Sequence, residues 1–312
     1  MPTDYILFVH GVKTSNREGF ERLANTLLDG IQQSVNDNTR VFKPIYFFWG
    51  DLGIPLLDRL KKHLAQSSKW PDFWFQDFRT KEILEFVGDA ALYLSRHIGS
   101  QIVRRFKDEA LGMLEGAERG DRLHFVTHSL GSVILFDLLF AGRWEDPQLD
   151  RDESTNDIRE MVKEIRQTFF GLGNNPSFGL PLASIHTMGS PIALFSLLSI
   201  NSESTHDLTP QMKTFLRSLY ELRQQKLTWR NFAHPGDPIA YPLEGVIPML
   251  LDEAAQFAEI QDVIIDSGNI FLRPFQQRLL PLIWGGEAHG SYWENKLVAQ
   301  TIGQGISTSP GI

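Results

Sequence analysis

Short apolar runs alternate along this chain with longer stretches whose apolar positions recur at helical spacing. That rhythm predicts an α/β protein with a mostly parallel sheet. Tyr5 to Val9 reads as the first strand, and Gly19 to Val35 as a helix with Phe20, Leu23, Leu27 and Ile31 on one stripe. Pro44 to Trp49 is the next expected strand. Gly50 to Glu118 then reads as long and helical, with an aromatic cluster at Trp70, Phe73, Trp74, Phe75 and Phe78. Leu123 to Val126 is a short buried strand, and Ser132 to Phe140 is apolar enough for a helix packed under a sheet. Further strands are expected at Ala183–Met188, Leu227–Phe232 and Gln261–Asp266. A last helix should begin near Ser291 and run through Trp293, Leu297 and Ile302.

Neither an internal repeat nor a linker divides the chain. The expectation is one domain over 1–303, with insertions at about 50–118, 143–181 and 243–286 forming a helical cap. The glycine-, serine- and proline-rich tail 304–312 should fray. The chain has 312 residues, 42% of them hydrophobic and 22% charged, in the ordinary range for a globular protein. A net charge of −8 without a basic cluster argues against nucleic acid as partner. Cysteine is absent, which excludes disulfides, zinc-thiolate sites and thiol catalysis. The N-terminus lacks the basic start and apolar length of a signal peptide, and no apolar run is long enough to span a bilayer. A cytoplasmic location is the default expectation.

Thr127-His128-Ser129-Leu130-Gly131 sits between the buried strand and the apolar helix. A serine on so sharp a strand-to-helix turn is thrust out above the helix N-terminus, the context a nucleophile elbow needs. The amide of Leu130 can then help hold a developing oxyanion. The bland alternative is a serine that caps a core helix. A serine attacks only when a base takes its proton and a third group orients that base. On this fold class the partners follow in the order acid, then histidine. His289, in a glycine-containing loop before the last helix, is the expected base. Asp237, in the Pro235-Gly236-Asp237-Pro238 turn after the Leu227–Phe232 strand, is the expected acid, although an aspartate in such a turn often only caps backbone. Asp207 is the fallback. His10-Gly11-Val12 follows the first strand, and glycine there lets backbone approach a ligand, so the Val12 amide is the candidate second oxyanion donor, ahead of Lys13.

Phe8-Val9-His10-Gly11, Thr127-His128-Ser129-Leu130-Gly131, Gly236-Asp237-Pro238 and His289-Gly290-Ser291-Tyr292-Trp293 together resemble the lipase/esterase-like branch of the α/β-hydrolases. A His-Gly loop, a His-Ser-Leu-Gly elbow and a late histidine recur in that branch. Thr187-Met188-Gly189-Ser190-Pro191 looks like the turn after the next strand in such lipases. The resemblance implies an α/β-hydrolase fold and a Ser129, His289 and Asp237 triad. His10, Gly11, His128 and Gly131 would support the site. The implied reaction cleaves a small-molecule or lipid ester and needs no cofactor. Thr127 stands where the family has its first elbow glycine, and Ser132 where a further glycine is frequent.

Other signals fall away. Asp150, Asp152 and Ser154 are spaced like the start of a calcium loop, but Thr155 and Met161 stand where glycine and glutamate are needed. His124 and His128 lack the glutamate of a zinc helix, so no metal is implied. No phosphate-binding glycine loop follows a strand. The aromatics from Trp70 to Phe78 are expected as core, with an acyl pocket or a membrane-docking surface as the alternatives. The apolar run Ile270–Trp284 could wall a cleft next to His289. Peripheral membrane contact is conceivable there, though without a basic face to go with it. The competing class is a non-catalytic interaction protein on the same fold; amide or thioester cleavage would use the same machinery.

Overall fold

Six strands pair into one all-parallel sheet: β1 (Thr3–Val9), β2 (Val41–Phe47), β3 (Arg122–His128), β4 (Leu182–Met188), β5 (Leu227–Ala233) and β6 (Ala258–Ile264), in the order β2-β1-β3-β4-β5-β6. The computed structural model describes the chain except residues 13, 15, 36–38, 115, 119, 141, 146–149, 154, 171–181, 200–209, 266–287 and 310–312. β3 and β4 are buried at every position, as a parallel sheet covered on both faces requires. The edge strands β2 and β6 alternate between covered and exposed positions.

The period of two along β1 divides the core. Ile6 and Phe8 face one layer with Phe20, Leu27 and Ile31 of α1 (Arg17–Ser34) and Val298, Ile302 and Ile306 of the last helix. Tyr5, Leu7 and Val9 face the other. That second layer holds α4 (Arg96–Arg105), α5 (Leu130–Phe140) and α6 (Ile158–Phe170), which follow α2 (Ile54–Gln66) and α3 (Leu84–Leu94) in the chain. α5 is buried at nine of its eleven positions, so its apolar residues run all round rather than along a stripe. A later helix, α7 (Pro210–Arg223), adds Leu216 and Leu219 to the same layer. Helices on both faces of a parallel sheet in this order make the α/β-hydrolase fold.

Three expectations change. The last helix, α8 (Lys296–Thr308), does not stop near Ile302, and the tail up to Ser309 is not frayed. Gly303, Gly305 and Ile306 are buried, and Arg122 donates to the Ser309 carbonyl. Gly305, which read as tail, is thus covered, with His186 Cε1 3.5 Å from where its Cβ would stand. A Cβ on Gly303 would lie 2.9 Å from Ser34 Cβ, and one on Gly30 2.8 Å from Ala299 Cβ, so α1 and α8 meet at a distance only glycine allows. In α1, Leu23 lies 38% exposed while Ala24 and Leu28 are buried, which rotates the covered stripe from the one read in the sequence.

The third change is in the long helical stretch. It is broken into several helices, and only its second half enters the core, through Ile98, Ile102, Val103 and Phe106. α2 buries none of its residues. Three residues of the aromatic cluster are not core: Phe73, Trp74 and Phe75 are 48%, 79% and 73% exposed.

Candidate active site

β1 is flanked by β2 on one side and β3 on the other, so the winding direction reverses between β1 and β3. In open α/β sheets that reversal opens a crevice beyond the carboxyl ends of the strands. The register aligns those ends, pairing Val9 with Thr127, His128 with Met188, and Met188 with Phe232. The loops after β1, β3, β4 and β5 therefore rise from one edge.

Ser129 occupies the elbow with a left-handed backbone, φ 53°, an uncommon conformation for a side-chain-bearing residue. Its amide donates to the Met188 carbonyl at 2.9 Å. Its carbonyl accepts from the Ser132 amide at 3.0 Å and the Ser132 hydroxyl at 2.5 Å. Ser132 Oγ also lies 2.7 Å from Ser190 Oγ, so the residue that replaces a frequent glycine ties the elbow to the loop after β4. Close approach explains the neighbouring glycines. A Cβ on Gly131 would meet the His10 carbonyl at 2.4 Å, and one on Gly11 would meet Ser129 Cβ at the same distance. Thr127 borders a small void lined by Ser132, Leu135, Ile185, Thr187 and Trp229, and its buried hydroxyl has no partner among the described residues.

The loop after β1 is fixed by an aromatic clamp. The Trp49 amide donates to His10 Nε2 at 3.0 Å, the Trp49 indole donates to the His10 carbonyl at 3.0 Å, and the two rings stack 5.1 Å apart. His10 Nδ1 donates to the Gly11 carbonyl at 2.7 Å. Burial pushes the His10 pKa down to about 4, so the ring is neutral with its proton on Nδ1. Val12 follows, half-buried against the core. Leu130 is the first residue of α5. The Val12 and Leu130 amides thus stand on neighbouring loops, β1 and β3 being adjacent.

His289 lies in a helical turn just before Ser291–Glu294. Its Nδ1 donates to Asp237 Oδ2 at 2.8 Å. Asp237 is wholly buried and accepts two further bonds, from the Tyr292 hydroxyl at 2.7 Å and the Ile239 amide at 3.1 Å. Burial alone would raise its pKa, but the bonds from His289, Tyr292 and Ile239 outweigh burial and hold it below the usual carboxylate range. Tyr292 in turn accepts from the His234 amide at 2.9 Å, and burial pushes its own hydroxyl pKa up, so it remains a donor. His128 Nε2 donates to the His289 carbonyl at 2.7 Å, with the two rings 4.5 Å apart. Burial first, then the neighbouring His289, pushes the His128 pKa down to about 3, so it places no charge beside His289.

These contacts therefore link Ser129, Asp237, His289, His10, Gly11, His128 and Gly131 into one neighbourhood beyond the carboxyl ends of the strands. Two of their buried polar atoms, Ser129 Oγ and His289 Nε2, have no hydrogen-bond partner. Asp207, His206, Lys13 and the run Ile270–Trp284 lie outside the described residues. Three contributors escaped the sequence reading. Gly189, at φ 57°, would bring a Cβ 2.9 Å from Asp237 Oδ2 and 3.1 Å from His289 Cε1, so any side chain would part the pair. Its signal was the Gly-Ser-Pro turn. Tyr292 and Trp49 carried none, because an aromatic residue in a site and one in a core look alike in sequence. Among the described residues no group of three or more His, Asp or Glu side chains could hold a metal ion.

No family model matches the chain. It is 27% identical to phospholipase DDHD1 of Mus musculus over 173 residues, which are 46% of this chain and 29% of the mouse protein. The Homo sapiens phospholipase DDHD1 matches at the same identity over 18% of its length. The chain thus spans under a third of the curated relatives it matches. Among solved structures, a cell-surface hydrolase from Lactobacillus plantarum WCFS1 superposes with a TM-score of 0.41 at 12% identity, covering 100% of this chain and 94% of that one. An acetyl xylan esterase does so at 0.30 and 10%, covering 96% and 99%.

Proposed function

We propose that this protein is a serine hydrolase that cleaves carboxylic esters with an apolar acyl part. Ser129 Oγ attacks the acyl carbonyl. His289 Nε2 takes the hydroxyl proton and returns it to the leaving alcohol, and water then releases the acyl group from Ser129 by the same steps in reverse. Asp237 fixes the His289 tautomer by holding the proton on Nδ1, which leaves the Nε2 lone pair free as base. The amides of Leu130 and Val12 stabilise the oxyanion, and that of Leu130 draws on the positive end of α5. A phospholipid is the lipid ester favoured by the phospholipase relatives.

One observation carries this reading above a scaffolding role. Ser129 Oγ and His289 Nε2 are buried without partners beside an otherwise fully bonded His-Asp-Tyr chain. The hydroxyl to be activated and the lone pair that would take its proton are thus each open to a substrate. A Ser-His contact that is open without substrate is ordinary for such sites.

The test is labelling with a fluorophosphonate probe, alongside hydrolysis of p-nitrophenyl esters and of phosphatidylcholine. The wild type should label and turn over, and Ser129→Ala should do neither while melting at the wild-type temperature. A folded wild type that neither labels nor hydrolyses any of these would leave the scaffolding role standing. Within the ester series, kcat/KM should rise from acetate toward medium chains, by up to ~0.8 kcal/mol per buried methylene. A steady fall from acetate would remove the apolar acyl part from the proposal.

A further inference from the structure

The exposed aromatic turn between α2 and α3 has a construction that the ester-cleaving site does not explain. Phe73, Trp74 and Phe75 follow one another in sequence and all face solvent. They line an open cleft of about 490 Å³ together with Lys69, Asp72 and Arg79. Exposing three consecutive aromatic residues costs solvation energy, and Phe75 adds a left-handed backbone at φ 58°. A loop without a task would be expected to fold such residues inward.

The turn is also unusually complete in its own hydrogen bonding. The Gln76 side-chain amide lies 3.1 Å from each of the Trp70, Pro71 and Phe73 carbonyls. Arg79 Nε donates to the Trp74 carbonyl at 3.0 Å, and its backbone amide to that of Phe75 at 2.8 Å. The Phe73 amide donates to the Trp70 carbonyl at 3.0 Å and the two N–H groups of Gln76 suffice for those of Pro71 and Phe73, so these carbonyls are served from within the turn. Backbone that must leave water has to meet that condition, since each unsatisfied group costs several kcal/mol in an apolar medium. The Trp70 and Phe73 rings stack 5.7 Å apart, and the Arg79 guanidinium sits 5.5 Å over Phe73, so the aromatics are held in place.

Charge identifies the occupant. The chain as a whole carries −8, yet from Arg59 to Lys81 six basic residues stand against two acidic ones; Asp58, Glu82 and Glu85 border the stretch, and Lys61 and Lys81 pair with Glu85 and Asp77. Lys69 and Arg79 lie within the aromatic cleft itself. Tryptophan and phenylalanine rimmed by lysine and arginine match the boundary between acyl chains and anionic headgroups.

We propose that this turn docks the protein on a lipid bilayer that carries anionic headgroups, with Trp74 and Phe75 inserted at the interface. The docking does not rest on the hydrolase reading, because the aromatic cleft is lined by none of the Ser129 site residues. The experiment is flotation of the 312-residue Ser129→Ala chain with vesicles of phosphatidylcholine, with or without phosphatidylglycerol as the minor lipid. Binding should appear with the anionic vesicles, weaken as salt is raised, and drop about tenfold or more in Trp74→Ala/Phe75→Ala. Lys69→Gln/Lys81→Gln should lose about fivefold per lysine on anionic vesicles only. Trp74→Phe should still float while losing the part of the tryptophan quenching by brominated lipid that Trp74 supplies. On the Ser129 background, the aromatic double variant should label with a fluorophosphonate as well as wild type does, which separates lost docking from lost fold. Absence of flotation, or flotation indifferent to the aromatic substitutions, would overturn the proposal. So would a wild-type dimer that the substitutions convert to monomer, because a second copy would then be the occupant.

Discussion

At the scale of single residues, the site depends on groups that hold His289 rather than on His289 alone. His289→Ala should lower kcat by ~10⁴-fold or more, the loss expected when a base is removed from a triad. Asp237→Asn should cost less but still heavily, because an amide cannot hold the same tautomer. Tyr292→Phe removes one of three bonds to Asp237 and leaves the His234 amide without its acceptor. It should lower kcat by roughly tenfold, the effect of about 1.4 kcal/mol, with KM for a soluble ester nearly unchanged. A wild-type kcat would show that the tyrosine only fills space. Gly189→Ala should be more damaging than its size suggests, since the new methyl would sit between Asp237 Oδ2 and His289 Cε1. Comparing kcat of the two variants at equal Tm separates positioning from folding.

At the scale of elements, glycine has two unrelated tasks. Beside the elbow, Gly11 and Gly131 let the β1 loop and the start of α5 come together around Ser129. Between α1 and α8, Gly30 and Gly303 let two helices touch. Gly303→Val should therefore destabilise by ~1–3 kcal/mol through overpacking, read as a lower urea midpoint, while labelling of Ser129 by a fluorophosphonate persists in the folded fraction. An unchanged midpoint would mean that the α1–α8 contact is looser than the distances imply. The same element shows where sequence reading loses its grip. Gln304 to Thr308 has the composition of a tail, and it continues the helix with Gly305 buried beside His186 of β4 and Ile306 in the core layer shared with α1, partners far away in the chain.

At the scale of the whole molecule, histidine burial ties stability to pH. His10, His124 and His128 are buried, and burial holds their pKa values down to about 4, about 4 and about 3, against an ordinary 6.5. The folded state keeps them neutral while the unfolded chain takes up protons below about pH 6.5, so stability is present above that pH and falls from there toward pH 4. Between pH 7.5 and pH 5 the loss should be about 2 kcal/mol per buried histidine, measured as a shift in urea midpoint. A flat profile over that window would contradict the neutral assignment. Below it Asp237 adds to the loss, its carboxylate being held under the usual range when folded. Local pattern was enough to specify the class: period two and period 3.6 mark strands and helices in any chain, and the elbow, the Gly-Asp-Pro turn and the late His-Gly are local motifs in the order such a site requires. The strands at Tyr5–Val9, Ala183–Met188 and Leu227–Phe232 were legible to within a residue or two for that reason. What local pattern could not supply is adjacency. Whether Phe73–Phe75 face core or solvent, whether Gly305 is tail or core, and which aromatic residues hold His10 and Asp237 depend on what the fold brings alongside. A side chain's energy comes from neighbours distant in sequence, and only the assembled sheet and its helices place those neighbours.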